Sequence, residues 1–161
     1  MPKQHDQKTN AMRVLNAANI EYVSRIFECP EALSGVEVAK LLDLDAERVF
    51  KTLVTEGRSK EHYVFMIPVA EELDLKKAAT AVGEKSIAMV KSKELLPLTG
   101  YVHGGCSPIG MKKPYRTVVD ETAILFERIV FSGGRIGTQI ELALDDLARV
   151  IDLTTADLIV A

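Results

Sequence analysis

The segment TGYVHGGCSPIGMKKPYR, residues 99–116, holds a dense set of residues suited to chemistry. Gly104 and Gly105 allow backbone N–H groups to converge on one point, where they can hydrogen-bond an anion or a developing oxyanion. Pro108 would stiffen the loop that presents them. Gly104 to Pro108 is therefore our main candidate site, and the alternative is a tight turn between strands. The segment is not a Walker A phosphate loop, because G-x-x-x-x-G-K-[ST] is absent.

His103 and Cys106 lie three positions apart in this segment, a spacing that suggests a cysteine nucleophile with a histidine base. We do not favour this interpretation, because a loop seldom orients such a pair and no third residue is evident to hold the imidazole. Cys29 and Cys106 also fit no zinc-ligand pattern, so we expect no structural metal.

Lys51 is the second candidate, and it lies inside the strongly apolar run RVFKTLV, residues 48–54. In a β-strand Val49, Lys51 and Leu53 share one face, since side chains alternate. Lys51 then either extends past its apolar neighbours to water or is held near an anion. Taken alone, the run is more typical of an exposed strand lysine.

A second glycine-rich segment, FSGGRIG, begins at Phe131. Gly133 and Gly134 favour a hairpin between strands at Arg128–Phe131 and Ile136–Leu142. Ser132 would stand at the end of the first of these strands, where its hydroxyl can point into a cleft.

The elements around these residues alternate between helix and strand with short connections. Ser34-Gly-Val-Glu37 is a capping-box signature for a helix that buries Val38, Leu41 and Leu42. The remaining predicted helices are one capped by Thr9 or Asn10 and ended by Asn19, one stopped by Gly83, one over Lys91–Leu98 capped by Ser92, and one over Asp145–Val150. The remaining predicted strands are Ile20–Phe27, His62–Pro68 and Arg116–Asp120. This pattern predicts a single α+β domain over residues 1–161 with a mixed sheet, rather than a regular βαβαβ wind.

Composition places the chain among ordinary globular proteins, with 47% hydrophobic and 27% charged residues in 161. The N-terminus is polar and no run of eighteen or more apolar residues occurs, so we expect a cytoplasmic protein without a membrane span.

The net charge of −3 argues against broad nucleic-acid binding, but the charge is uneven. From Lys76 to Arg116 eight basic residues face two acidic ones, giving +6, so the rest of the chain carries −9. This block, with Lys112, Lys113 and Arg116 beside the glycine loop, predicts a face that touches a phosphate backbone. The alternative is a merely solvated face.

Three segments together are more specific than any one of them. VFKTLV, TGY-x-x-GG-x-SP-x-G-x-KK and SGG-x-x-G-x-x-IE, in this order, resemble the free-standing aminoacyl-tRNA deacylases of the YbaK/ProX family, and above all their Cys-tRNA(Pro) deacylase branch. The resemblance covers nearly the whole chain. These proteins are similar to the editing domain inserted in bacterial prolyl-tRNA synthetases, which implies an α+β domain with a curved, partly barrel-like sheet.

The resemblance also implies roles for individual residues. Lys51 matches the lysine that the family needs for activity, with Gly104 and Gly105 as the catalytic loop. The implied substrate-binding residues are Thr52, Cys106, Ser107, Pro108, Ser132 and Gly133. Two positions depart from the pattern: Phe27 stands where relatives have tyrosine, and Ser34 where they have phenylalanine.

The implied reaction removes mischarged cysteine from the 3′ end of tRNA(Pro), with Cys-tRNA(Cys) as a further candidate substrate, and needs no cofactor. The substrate's own thiol attacks its ester carbonyl, and the cysteinyl group leaves as a thiolactone. A nearby ammonium assists the attack because it favours the thiolate. The implied partners are the acceptor end of aminoacyl-tRNA and, in a transient complex, prolyl-tRNA synthetase. The alternatives are hydrolysis by bound water, a different amino acid such as alanine, and a non-catalytic module that holds an aminoacyl-tRNA end or a nucleotide.

Overall fold

A computed structural model describes residues 8–29 and 31–161 of the chain, and the polar N-terminal residues 1–7 lie outside it. The helices are α1 (Asn10–Ala17), α2 (Gly35–Leu41), α3 (Leu75–Val82), α4 (Ser92–Thr99) and α5 (Leu144–Leu147). The strands are β1 (Val23–Ile26), β2 (Phe50–Gly57), β3 (His62–Pro68), β4 (Ile87–Met89), β5 (Arg116–Asp120), β6 (Ile129–Arg135), β7 (Thr138–Leu142) and β8 (Leu153–Ala156). No helix in the described part of the chain is both long and apolar enough to cross a membrane.

The strands form two sheets, which confirms the predicted α+β class with mixed strand directions. The larger has the order β4-β2-β3-β5-β8, with antiparallel pairs around β2 and parallel pairs on both sides of β5. The smaller is antiparallel, in the order β1-β7-β6. The sheets meet where Val49, just before β2, makes an isolated parallel bridge to Val130 of β6.

One hydrophobic core joins both sheets to α1. Phe50 and Met66 of the larger sheet pack in the same buried cluster as Phe131 and Ile140 of the smaller one, and Leu15 of α1 completes it. Helix α1 begins where the sequence predicts, because the Thr9 side chain accepts a hydrogen bond from the Met12 N–H at 3.2 Å. The pocket described below borders this core at Phe50, so the core fixes the two sheets beside the pocket.

Several boundaries agree with the sequence pattern. Strands β3 and β5 have the predicted bounds, the Ser34–Glu37 capping box is formed, and α3 ends at Gly83 with φ 75°. In each case a local signal decides the boundary: a β-branched or aromatic run, a capping side chain, or a glycine in the left-handed region.

Other predictions were wrong. Strand β1 begins at Val23 rather than Ile20, α5 ends at Leu147, and α4 is capped at Lys91, whose N–H donates to the Glu94 carboxylate, rather than at Ser92. Leu41 is 54% exposed instead of buried. Strands β4 and β8 were not predicted, because each is a short segment that pairs at the edge of the larger sheet.

The predicted hairpin turn is also shifted. Strand β6 continues through Gly133 and Gly134, and the turn falls at Ile136–Gly137, with a register irregularity between Ser132 and Arg135. Gly134 and Gly137 have φ angles of 101° and 88°. The glycine pair therefore bends the strand as a bulge, and a later glycine closes the turn.

Candidate active site

A cavity of about 370 Å³ lies beside β2, between the two sheets. Strand β4 pairs only with Thr55–Gly57, so over the preceding residues one edge of β2 is free of a neighbouring strand. Consecutive residues of β2 line the cavity along this edge, although their side chains alternate in direction. The Val49–Val130 bridge stands at one end of this gap, and Ser132 of β6 also lines the cavity.

The structure brings five of the predicted site residues together around this cavity. They are Lys51, Thr52, Gly104, Cys106 and Ser132. The sequence did not identify most of the apolar wall, which includes Val38, Val69, Met89 and Leu95, because such residues are indistinguishable from ordinary core positions.

Lys51 is half-buried at the cavity wall. Burial lowers the pKa of its ammonium below the usual value of 10.5, and the carboxylates of Glu72 and Glu71 partly oppose this shift. Within residues 8–29 and 31–161 the ammonium has no recorded hydrogen bond or ion pair. Lys51 is therefore a partly desolvated positive charge that no direct contact neutralises, which suits the binding of an anion.

Thr52 carries an unsatisfied hydroxyl. Its Oγ1 atom is buried and has no hydrogen-bond partner in the described part of the chain. A buried hydroxyl without a partner costs about 1–3 kcal/mol, and because Thr52 lines the cavity, a group on a bound ligand is a candidate partner.

Gln139 is a polar lining residue that the sequence analysis missed. It pairs with Ser132 across β6 and β7, is only 8% exposed, and lines the cavity. Its amide has no recorded hydrogen bond among the described residues, while the Ser132 hydroxyl accepts one from the Gly134 N–H. The alternation in TQIEL could have revealed Gln139, since it puts Gln139 and Glu141 on one face and Ile140 in the core.

The glycine loop approaches other backbone segments closely. Gly104 has φ 85°, and a Cβ on it would lie 2.7 Å from the Ala32 Cβ. A Cβ on Gly105 would lie 2.9 Å from the Ile136 nitrogen. Only glycine fits at these two positions, for conformational reasons at the first and for space at the second.

The backbone donors of this loop differ in availability. The Gly105 N–H donates to the Val102 carbonyl at 3.0 Å, which closes a turn and removes Gly105 as a free oxyanion donor. The N–H groups of Gly104 and Cys106 have no recorded acceptor in the described residues, so they are the donors that the loop can offer to a ligand.

Cys106 is buried, and burial raises the pKa of its thiol to about 12, although a hydrogen bond with the Thr99 side chain opposes the shift. The sulfur is thus a neutral thiol at physiological pH. His103 also lines the cavity, but it is exposed and has no recorded hydrogen bond to the thiol. The geometry gives no support to a cysteine nucleophile.

The other predicted residues lie away from the cavity surface. Gly105, Ser107, Pro108 and Gly133 are buried but do not line it. The Ser107 hydroxyl accepts a hydrogen bond from the Ile109 N–H, and a Cβ on Gly133 would meet Thr138 and Ile140 on the core side of the sheet. These residues support the walls rather than form their surface.

The predicted phosphate-contacting residues are exposed and lie outside the cavity lining: Lys112, Lys113 and Arg116. The Arg116 guanidinium donates to the Ala81 carbonyl at 3.3 Å. Lys91, from the same basic block, does line the cavity.

Ser34, one of the two departures from the family pattern, lines the cavity, and its hydroxyl caps α2 by accepting from the Glu37 N–H. Phe27 is half-buried and does not line it. A cap serine therefore occupies a place on the wall where an aromatic ring would fill more space.

The sequence model of the aminoacyl-tRNA editing domain matches residues 29–150. The chain belongs to this family. A protein of Enterococcus faecalis, provisionally named as the Cys-tRNA(Pro)/Cys-tRNA(Cys) deacylase EbsC, is 46% identical over 142 residues, 88% of this chain and 87% of that protein. Membership confirms the resemblance inferred from the three sequence segments.

Two further similarities are to a prolyl-tRNA synthetase and to a solved structure. A proline–tRNA ligase of Pelobacter propionicus is 31% identical over 91 residues, which is 56% of this chain and 16% of the ligase. A crystal structure described provisionally as a trans-editing enzyme for prolyl tRNA synthetase superimposes with a TM-score of 0.82 and 23% identity, over 96% of this chain and 99% of that one. At 23% identity this structural match shows only that the two proteins share a fold.

Proposed function

We propose that this protein removes mischarged cysteine from Cys-tRNA(Pro), and from Cys-tRNA(Cys) as a second substrate, as a free-standing editing enzyme. As a member of the aminoacyl-tRNA editing family, the chain is an aminoacyl-tRNA deacylase. The choice of cysteine follows from the name of the Enterococcus relative and from the character of the cavity.

The observation that carries the proposal is Lys51: a half-buried ammonium without a recorded partner, at the wall of a cavity of about 370 Å³. That volume lies near the lower end for small-ligand sites, which suits an aminoacyl group with part of a terminal nucleoside. The Lys51 ammonium favours a thiolate by charge attraction, which opposes the desolvation that an apolar wall imposes on any charged group.

We propose that the chemistry is carried out by the substrate. A free thiol titrates near pH 8.5, and the Lys51 ammonium would favour its deprotonation. The sulfur attacks the ester carbonyl, an S–C bond forms, and the C–O bond to the ribose breaks. The departing ribose oxygen takes up a proton, and cysteine leaves as a thiolactone.

The loop would stabilise the carbonyl oxygen as it becomes an oxyanion. The N–H groups of Gly104 and Cys106 are available for this, whereas that of Gly105 is already engaged. Each well-aimed donor is worth about 3–4 kcal/mol in such reactions. The Thr52 hydroxyl and the Gln139 amide remain to orient the amino acid.

The alternative that a specific observation favours is hydrolysis by water. Gln139 and Ser132 pair across β6 and β7 and both line the cavity, so together they offer polar groups that can hold a water molecule. Attack by that water would release free cysteine instead of a thiolactone, and would extend the reaction to esters without a thiol, such as alanine.

The decisive experiment is a deacylation assay on Cys-tRNA(Pro), Cys-tRNA(Cys) and Ala-tRNA(Pro) side by side, with substrate in excess and with product analysis. We expect multiple turnovers on both cysteine esters, little on alanine, and a cyclised product. Release of free cysteine as the product would contradict the thiolactone route and support hydrolysis by water. Binding without turnover would overturn the proposal in favour of a non-catalytic module.

We further propose that residues 1–161 act as a single editing domain in the cytoplasm, where tRNAs are charged. The exposed Lys112, Lys113 and Arg116 would contact the acceptor end of the tRNA. The similarity to prolyl-tRNA synthetases supports a transient complex with that enzyme, which co-purification in the presence of tRNA would test.

A further inference from the structure

Three arginines gather around one carboxylate of the smaller sheet, outside the cavity lining. Glu141 of β7 is buried, and its Oε1 atom accepts hydrogen bonds from Arg25 at 2.8 Å and from Arg48 at 2.7 Å. Arg128 lies 3.9 Å from Oε2. We call Arg25, Arg48 and Arg128 the arginine triad.

The triad carries more charge than Glu141 can neutralise. Three guanidinium groups around one carboxylate leave a local charge of about +2. The two hydrogen-bonded arginines lower the pKa of Glu141 despite its burial, so the carboxylate stays ionised and the arginines stay fixed. Exposed Glu47 and Glu127 adjoin the triad in sequence, but no ion pair between either of them and the triad is recorded in the described part of the chain.

Most N–H donors of the triad are unused. Arg128 makes no hydrogen bond through its side chain in the described residues, and the buried Nε of Arg25 has no partner. Arg48 adds one long contact, 3.4 Å, to the Arg128 carbonyl. The side chains are 33% exposed for Arg25, 25% for Arg48 and 51% for Arg128, so solvent or a ligand can reach them.

The triad borders the cavity. Arg25 of β1 is directly across from Gln139, which lines the cavity wall. Glu141 shares a face of β7 with Gln139, roughly 7 Å away along the strand. Arg48 precedes Val49, another lining residue. A polymer whose end lies in the cavity can therefore extend over the triad.

We propose that the arginine triad is a phosphate-binding site for the RNA backbone next to the acceptor end. This inference rests on the proposed function, since it assumes that the chain's substrate is attached to RNA. Guanidinium groups bind phosphate oxygens through paired N–H donors. Glu141 holds the arginines in place before the ligand arrives, so less side-chain entropy is lost on binding than for free lysines.

The site differs in its organisation from the exposed surface at Lys112 and Lys113. Lys112 and Lys113 are exposed and have no recorded ion pair among the described residues, so they contribute mainly a diffuse attraction. The triad fixes the position of particular phosphates, and through them the register of the 3′ end in the cavity. The two surfaces act together, and each should contribute its own share of the salt dependence of binding.

The test measures the affinity of the full chain for an RNA hairpin without an attached amino acid, which reproduces a tRNA acceptor stem with its single-stranded 3′ end. Binding is measured at salt concentrations from about 50 to 200 mM. The variants are Arg128→Ala, Arg25→Ala with Arg128→Ala, and Lys112→Glu with Lys113→Glu. The matched control is Arg58→Ala: Arg58 is exposed and follows β2 at the end remote from Arg48, roughly 25 Å along the strand. Arg128→Lys tests whether charge alone suffices.

We expect Arg128→Ala to weaken RNA binding about five- to tenfold and to reduce the salt slope by about 1, with a larger loss in the double variant and none in Arg58→Ala. Arg128→Lys should recover part of the affinity. If the arginines had only a structural ion-pair role, Arg128→Ala would lower the melting temperature and leave RNA affinity and salt slope unchanged. That result would overturn the inference, and so would failure of the wild type to bind the hairpin. The hairpin carries no amino acid, so its binding does not depend on deacylation. Failure of the wild type to deacylate aminoacyl-tRNA in the separate assay would therefore count against the proposed function only.

Discussion

Two walls of the cavity, one formed by β2 and one by the glycine loop, differ in what they present to a ligand. The strand wall, on the free edge of β2, offers side-chain groups without partners: the Lys51 ammonium and the buried Thr52 hydroxyl. The loop wall offers mainly backbone. Gly104 has no side chain, and the Cys106 thiol is a neutral, buried group whose sulfur interacts with Thr99.

This difference assigns separate tasks to the two walls. Charge and hydrogen-bonding side chains belong on a strand, because paired backbone holds them rigidly in place. Oxyanion donors belong on a loop, because only irregular backbone leaves N–H groups unpaired. Substitutions should therefore act through chemistry on the strand wall and through shape on the loop wall.

The largest effect is expected from Lys51→Ala. It removes the only cavity charge that is half-buried among the described residues and should lower kcat/KM for Cys-tRNA(Pro) by about 100- to 1,000-fold, the range for loss of one preorganised electrostatic group. The fold should persist, because the ammonium has no recorded partner to lose. Deacylation rates and the melting temperature are the two measurements.

Lys40→Ala is the control, since Lys40 is an exposed lysine on α2. Lys51→Arg keeps the charge with a different shape and should retain only part of the activity. Near-normal turnover in a folded Lys51→Ala protein would remove the strand wall from the chemistry.

The second effect concerns the loop wall. In Gly105→Ala the new Cβ would lie 2.9 Å from the Ile136 nitrogen and 3.1 Å from the Arg135 carbonyl carbon, and backbone cannot move aside easily. The loop should shift, with a stability loss of about 1–3 kcal/mol. A displacement of about 1 Å can reduce activity on the order of 100-fold.

Gly83→Ala provides the comparison for this variant. Gly83 has a constrained φ, 75°, which Gly105 does not have, and nothing lies within 4 Å of a Cβ added to Gly83. It should lose about 1 kcal/mol of stability from backbone strain and keep full activity below its melting transition. Equal activity losses in the two variants would mean that stability, and not loop position, controls turnover.

The sequence predicted the elements that local signals define. His62–Pro68 and Arg116–Asp120 are strands because of their residue types, and Thr9, Ser34 and Gly83 define helix ends by capping. The sequence did not predict the elements that depend on pairing with another strand. Ile87–Met89 becomes a strand only because Thr55–Gly57 offers it an edge, and the turn after β6 depends on which of several glycines forms the bulge.

The candidate site follows the same division. Lys51 and Gly104 could be found because their residue types are unusual for their surroundings. The apolar wall could not be found, and the alternation in TQIEL indicates only the face of β7 on which Gln139 lies. These residues line a cavity only because two sheets, built from strands distant in sequence, leave a gap between them. The engaged Gly105 N–H likewise depends on a turn to Val102 that the residue types do not specify.

A third effect separates binding from stability on the strand wall. Thr52→Val removes a buried hydroxyl that has no partner, so the free energy of unfolding should rise by about 1 kcal/mol. If the hydroxyl serves the substrate, kcat/KM should fall about tenfold. Thermal melting and deacylation kinetics measure the two changes.

Thr138→Val is the matched control, because the Thr138 hydroxyl is also buried without a partner in the described residues, yet Thr138 does not line the cavity. It should gain similar stability at no cost in activity. If Thr52→Val also costs no activity, its hydroxyl has no role in substrate binding.

A fourth and smaller effect is in the pH profile. Burial lowers the pKa of Lys51, and Glu72 and Glu71 limit that shift, so Glu72→Gln should lower it further. A lower pKa means that the ammonium loses its proton at lower pH. The alkaline limb of kcat/KM should therefore move to lower pH, with little change near neutrality, while the exposed control Glu121→Gln leaves it in place. A limb that moves to higher pH, or stays, would assign it to another group.

The smallest effect is expected from Cys106→Ser on the loop wall. The thiol is buried, and with its pKa raised to about 12 it carries no charge at the pH of the reaction, so it cannot supply a thiolate nucleophile. Serine has nearly the same volume and can keep a hydrogen bond with Thr99, and the backbone N–H of residue 106 is unchanged by the substitution. Deacylation of Cys-tRNA(Pro) should stay within about threefold of wild type, because the reacting sulfur belongs to the substrate. Product analysis sharpens the test, since the variant should still release the cyclised form. Complete loss of turnover in a folded Cys106→Ser protein would indicate that Cys106, on the loop wall, is the nucleophile. It would also overturn the division of tasks between the two walls.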